Sequence, residues 1–413
     1  MFPASSSPSR SRPHQKTAYV RAVSQGDYEM EFYSVAINHD VSGEEDCGED
    51  GSVRVLTPIK APNVPLHGGF AAVDNKLYCM GGDPPYRAGR FYEPVRRFYA
   101  LDTRSQNPTK SSWKKRASMR NGRFLPPTVV VDGKIFVFGG IEGPHCHTRH
   151  WAEVFDTKSG RWSSLSPPPQ LPTAYGLFAV ALPDLGKILV GSCEDEFLYT
   201  YYPEEGRWEL LDHKMVFGIS CHVKPVAVHT TLFWFDDCNL HAYNLVDKWS
   251  FSGCIKDLEK VVPLESLMPP NVDLFYPAVH HVAGNVFSLL CLEYFSSEHR
   301  ATLLHCAKFS ISDLVVQGGE DVCFNAAVRS AEAYAIQTPS QILDAVVMVV
   351  DELKTFNERI ACRVKWSFAS LAQLKKKIFK CFVDWNMSLL ISEILRRNGV
   401  TTMSLGNLFT SKA

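Results

Sequence analysis

The chain has 413 residues, with Lys+Arg 43 against Asp+Glu 44 and a formal net charge of −1. Near-neutrality excludes a general nucleic-acid or anionic-membrane binder, and 45% hydrophobic with 21% charged residues excludes a disordered chain. No run of apolar residues is long enough for a transmembrane helix, while 12% aromatics with Gly 26 and Pro 25 suit many short strands joined by tight turns.

Residues 1–18 are dominated by Ser, Pro and Arg and read as a disordered tail rather than a transit peptide. Tyr28–Ile37 and Ser52–Ile59 are expected strands, separated by an acidic loop at Ser42–Gly51. A repeating unit then occupies the middle of the chain. AVDNKLYCMGG ends at Gly82 and VDGKIFVFGG ends at Gly140. Weaker copies follow in LPDLGKILVGS, VHTTLFWFDD and HVAGNVFSLL, which end at Ser192, Asp237 and Leu290. Each joins two apolar strands through a short polar turn, and Asp74-Asn75, Asp132-Gly133 and Gly284-Asn285 tolerate the positive φ of a tight hairpin.

An aromatic-rich third strand follows each copy, as in RRFYALDTRS and WAEVFDTKSGRW. Four copies then reach a Trp, at Trp113, Trp162, Trp208 and Trp249, with separations of 49, 46 and 41 residues. Four strands per unit at this period are the pattern of a β-propeller blade, whose two faces are covered only by neighbouring blades. The expected fold is therefore all-β, with six blades of four antiparallel strands. Val322–Ile336 is an expected strand after the fifth copy, and pairing of N- and C-terminal strands in one blade would close the ring. Seven blades follow if residues 340–365 also supply strands, because Ile342–Val350 suits either strand or helix.

From about Ser340 the spacing of Leu371, Leu374, Ile378 and Phe382 is helical. The expected organisation is a tail over 1–18, a propeller over 19–338 and a helical extension over 339–413. The extension carries a net +5 within residues 341–413. Its basic run at Lys375–Lys377 reads as a solvated helix face rather than a nuclear signal or membrane contact.

Gly81-Gly82 with Tyr99 and Trp113, and Gly139-Gly140 with Phe155 and Trp162, resemble kelch repeats. The later copies lack the Gly pair. The overall style is similar to plant kelch-repeat and F-box/kelch proteins. That resemblance implies a kelch-type propeller and a substrate receptor of a ubiquitin ligase. An F-box, a helical segment opening near L-P-x-[DE], is not visible, because the region before Tyr19 is short and polar.

Chemistry is not expected. The sequence has no G-x-S-x-G, P-loop, H-E-x-x-H or G-x-G-x-x-G pattern. His145-Cys146-His147 with His150 offers imidazole and thiolate, but one loop rarely converges the three or four ligands a metal needs. A galactose-oxidase-like copper site, the alternative enzyme reading, has no identifiable ligand set here. No E-x-x-x-D-x-x-x-H iron motif is present either. No cofactor and no metal are expected. The twelve cysteines form no C-x-x-C pair and several lie in apolar runs, which favours reduced thiols in a cytoplasmic or nuclear protein.

The expected function is protein binding through the loops that follow the second strand of each unit. These are Asp83–Phe91 and Ile141–Arg149, with Cys193–Glu196 and Asp236–Asn239 beside them. Candidate contact residues are Tyr86, Arg87, Arg90, Phe91, His145, His147 and Arg149, because Tyr and Arg are frequent anchors of protein interfaces. The partners expected are other proteins, ubiquitin-ligase components among them; nucleic acid and membrane are not.

Overall fold

The computed structural model describes residues 15–24, 29–37, 53–83, 94–104, 113–140, 150–172, 176–192, 198–212, 223–267, 277–293, 302–317, 321–336 and 340–350. The first strands in chain order are β1 (Gln15–Ser24), β2 (Met30–Ile37), β3 (Arg54–Val55) and β4 (Ile59–Ala61). Four meanders follow. Blade 2 is β5 (Gly69–Val73), β6 (Lys76–Met80), β7 (Phe98–Asp102) and β8 (Lys114–Lys115), and blade 3 is β9 (Thr128–Val131), β10 (Lys134–Phe138), β11 (Ala152–Asp156) and β12 (Arg161–Leu165). Blade 4 is β13 (Leu177–Leu182), β14 (Lys187–Ser192), β15 (Leu198–Tyr202) and β16 (Arg207–Asp212). Blade 5 is β17 (Val226–Val228), β18 (Thr231–Asp236), β19 (Asn239–Asn244) and β20 (Ser250–Gly253). Blade 6 holds β21 (Ala278–Ala283), β22 (Val286–Glu293), β23 (Thr302–Gln317) and β24 (Asp321–Ile336), and β25 (Ser340–Val350) ends the described chain. Between blades 5 and 6 the described residues form a 3-10 turn at Leu258–Lys260 and a short helix, α1 (Leu264–Leu267).

These strands form six sheets among the described residues. Blade 1 has the order β25-β1-β2-β4, so its innermost strand comes from the far end of the chain. The register of β1 with β25 runs from Gln15 opposite Val350 to Ser24 opposite Ser340. N- and C-terminal strands therefore share one blade and close the ring, which has six blades.

Two boundaries need correction. Residues 15–18, assigned to the tail, are the first turn of the ladder in β1, where Lys16 pairs with Ile37 and Ala18 with Val35. Residues 340–350, assigned to the helical extension, are β25. This apolar, β-branched run is read as strand or helix only once a partner edge is available, and β1 is that edge. Counting it as a strand adds no seventh blade, because it completes blade 1. Residues 351–413, including the basic run, lie outside the described residues.

Six buried clusters fill the six gaps between neighbouring blades. In β10, Ile135 and Val137 face blade 2 while Phe136 and Phe138 face blade 4. This is the period-two alternation of a strand, apolar on both faces because both faces are covered. The gap between blades 6 and 1 holds Tyr33, Val35 and Ile37 against Leu290, Leu292, Leu304 and Ile336. The remaining three clusters join blades 1 and 2, 4 and 5, and 5 and 6.

The recurring Trp packs between blades as expected. Trp162 sits opposite Phe155 on the neighbouring strand with ring centroids 5.2 Å apart, and Trp208 sits opposite Tyr201 at 4.7 Å. Each also reaches back one blade. Trp162 Nε1 donates to the Ala117 carbonyl and Trp208 Nε1 to the Ser166 carbonyl, each at 2.7 Å. Trp113 packs tilted against Phe32 at 4.6 Å instead, and its buried Nε1 has no acceptor among the described residues. Trp249 packs toward blade 6, the following blade, rather than toward the preceding one.

Candidate interaction face

Neighbouring strands alternate in direction. The connection from second to third strand and the connection from one blade to the next therefore emerge at the same end of the ring. The described strand ends that flank the loops singled out from the sequence lie at this end. Asp236–Asn239 differs from the rest, because Asp237 and Cys238 both have positive φ and form a two-residue turn. Blade 5 thus contributes a tight hairpin rather than a loop. The residues Tyr86, Arg87, Arg90, Phe91, His145, His147 and Arg149 lie outside the described residues, as does Cys193–Glu196.

What the structure does describe is how two of these loops are rooted. Gly81-Gly82 and Gly139-Gly140 close the second strands of blades 2 and 3, all four with positive φ. The Gly82 amide donates to the Arg123 carbonyl, and the Gly140 carbonyl accepts from the Phe124 amide, each at 2.6 Å. A Cβ on Gly82 would strike the Leu66 carbonyl oxygen, and one on Gly140 would press on the Phe124 carbonyl. The pair of glycines therefore lets strand two end directly against the connection that leads into its own blade.

Beneath this turn lies a buried ion pair that the sequence reading missed. Arg123, on the connection between blades 2 and 3, is fully buried and 3.0 Å from the equally buried Glu153 of β11. Its guanidinium also donates to the carbonyls of Gly139 at 2.5 Å, Trp151 at 2.8 Å and His150 at 2.7 Å. Glu153 accepts the backbone amides of Arg120 at 2.8 Å and Asn121 at 3.3 Å. Burial pulls the Arg123 pKa down and the Glu153 carboxylate opposes that shift; a guanidinium remains charged throughout. One side chain thus ties both stems of the 140–150 connection to the connection entering blade 3. The available sequence signal was a lone acid inside the apolar strand WAEVF, since an acid is rarely buried without a partner.

Three further polar groupings occupy the same end. Arg21 is buried in β1, donates to the Gly68 carbonyl at 2.5 Å and sits 5.5 Å from the Phe70 ring centroid. His67 Nδ1 is 3.1 Å from Asp83 and its ring is 5.3 Å from that of Phe124. His305 is 2.9 Å from Glu293 in blade 6. Leu125, beside Phe124, is 54% exposed and holds a positive φ while its amide donates to the His67 carbonyl. No group of three or more His, Cys, Asp or Glu among the described residues is arranged to hold a metal ion. No described helix is long and apolar enough to cross a membrane. Among the described residues this end carries imidazole and apolar groups over buried guanidiniums, and the described side chains form no convergent acid–base or nucleophilic set.

Comparison with known sequences shows what the chain is similar to. The family described as "FKB95, Kelch-repeats domain" matches residues 33–276. The chain is similar to three F-box/kelch-repeat proteins of Arabidopsis thaliana. At4g33900 is 28% identical over 196 residues, 45% of this chain and 49% of the relative. At4g19870 is 31% identical over 219 residues, 52% of this chain and 49% of the relative. At4g39580 is 26% identical over 289 residues, 68% of this chain and 69% of the relative. The chain spans about half the length of the first curated relatives it matches.

Proposed function

Because the chain belongs to the FKB95 kelch-repeat family, we propose that it is a non-catalytic protein-binding scaffold acting as a substrate-recognition module. The observation that carries this reading is the rooting of the 140–150 connection by Arg123 and Glu153. Loops whose stems are fixed by a rigid ring lose less freedom on binding, which favours recognition. The loop residues Tyr86, Arg87, Arg90, Phe91, His145, His147 and Arg149 supply the contacts, with Tyr and Arg as anchors.

Affinity capture with quantitative mass spectrometry tests this. The doubly substituted Arg87→Glu, Arg90→Glu chain is expected to lose a protein that the parent chain retains. A control at the opposite end of the ring, Asp184→Lys, is expected to keep it. Equal capture by all three chains overturns the reading.

A second, narrower reading is favoured by the names of the relatives. As an F-box/kelch-type adaptor, the chain would deliver its captured protein to a ubiquitin ligase in the cytoplasm or nucleus. Co-precipitation with a cullin-type scaffold is the expected result. Capture of a client without any such scaffold removes the adaptor role and leaves the binding role intact.

A further inference from the structure

The seam of the ring carries a feature that ring closure alone does not require. The chain leaves blade 1 at Ile37, the end of β2, and returns to it at Ile59 in β4. Between them β3 does not pair within blade 1. It adds a fifth strand to blade 6, parallel to β24, with Arg54 opposite Tyr334 and Val55 opposite Ala335. This is a parallel pairing, whereas the ladder within every blade is antiparallel. The Leu56 amide then donates to the Ala335 carbonyl at 2.9 Å. The Leu56 side chain packs on the cluster that fills the gap between blades 6 and 1.

Among the described residues, two backbone pairings therefore cross from the N-terminal part of the chain to its C-terminal part, beside the side-chain bond from Lys16 to the His281 carbonyl at 3.3 Å. One is the β25–β1 ladder at the innermost position, and the other is the β3–β24 contact at the outer rim. In blade 1 the innermost and outermost strands are three strand spacings apart, roughly 14 Å. A single line of hydrogen bonds resists sliding but permits hinging about itself. Two lines separated across the blade also resist hinging, because the outer one must stretch as the blades splay.

We propose that β3 with Leu56 is an outer clasp that holds blades 6 and 1 shut and so protects the β25–β1 ladder from unzipping. The clasp acts on conformational integrity and is independent of what the loop face binds. It explains why two exposed residues, Arg54 and Val55, hold strand geometry on a neighbouring blade. Apart from Leu56 they bury little, so their pairing is not driven by area.

Hydrogen exchange read by mass spectrometry on the full chain tests the clasp. Leu56→Pro removes the amide donor, and Leu56→Ala keeps it while trimming the packed side chain. For Leu56→Pro, the amides of β1, β24 and β25 are expected to exchange about five- to tenfold faster, with β13 to β16 of blade 4 unchanged. Leu56→Ala is expected to give a smaller rise at the same strands, and it decides the matter if the proline variant fails to fold. Unchanged exchange in β1 and β25, or an equal rise in all six blades, overturns the proposal.

Discussion

The Arg123 guanidinium and the Glu153 carboxylate lie 3.0 Å apart with neither side chain exposed. Their other contacts are almost all backbone carbonyls and amides of three separate segments. The pair therefore does more than neutralise itself: it supplies polar partners to backbone at the root of a blade connection. Removing one member strands a buried charge, which costs about 3–5 kcal/mol. Arg123→Met and Glu153→Gln should both lower stability by amounts of that order in urea unfolding. The double variant Arg123→Met, Glu153→Gln should cost less than the sum of the singles, because it leaves no lone charge.

Gly82 and Gly160 both have positive φ, but only Gly82 is enclosed. Gly160 has nothing within 4 Å of the place a Cβ would occupy. Gly160→Ala should therefore cost only about 1 kcal/mol of backbone strain. Gly82→Ala must also displace the Leu66 backbone and should cost at least about 2 kcal/mol more, seen as a clearly lower thermal midpoint.

Trp162 and Trp113 are equivalent in the repeat and differ in their hydrogen bonds. Trp162→Phe loses the bond to the Ala117 carbonyl, worth about 1 kcal/mol in addition to lost packing. Trp113→Phe removes a buried N–H that has no described acceptor and keeps an aromatic ring against Phe32. The loss of stability should be larger for Trp162→Phe, measured side by side by chemical denaturation.

Burial pushes the Cys291 thiol up, and the Cys306 thiol is pushed up to about 12, in both cases chiefly because the thiolate is desolvated. Cys254 is exposed. Maleimide at neutral pH should label Cys254 in the native protein and spare Cys291 and Cys306 until denaturant is added, since the thiolate is the reactive form. Peptide mapping of the labelled sites checks this.

His281 in β21 is held below the ordinary imidazole value, mainly by burial, while its contact with the Gly284 carbonyl opposes the shift. The unfolded chain therefore binds this proton at a higher pH than the folded one. Stability from His281 is complete above about pH 6.5 and falls as pH drops toward the depressed folded value. A His281→Gln variant should show a flatter stability profile across that window in thermal melts at constant ionic strength.

The kelch pattern was legible because its signals are local. Gly-Gly pairs and positive-φ turns each act within a few residues and Trp recurs at separations of 49, 46 and 41 residues, so periodicity and turn chemistry suffice to predict the hairpins from Gly69 to Glu293, with six blades expected and seven left open. Blade 5 departs from the expected loop, with a two-residue turn at Asp237-Cys238.

Contacts between distant parts of the chain were not legible. Ile342–Val350 is apolar enough for strand or helix, and it became the innermost strand of blade 1 only because β1, more than 300 residues earlier, offered an unpaired edge. Residues 15–18 carry no strong pattern and are strand because β2 and β25 flank them. Glu153 looked misplaced in an apolar strand until Arg123, 30 residues away, met it. The sequence by itself determined the repeat, its turns and its aromatic spacing. Tertiary structure decided where the ring closes, which segment clasps it and which charges are buried, because each depends on surfaces that exist only after the blades have assembled.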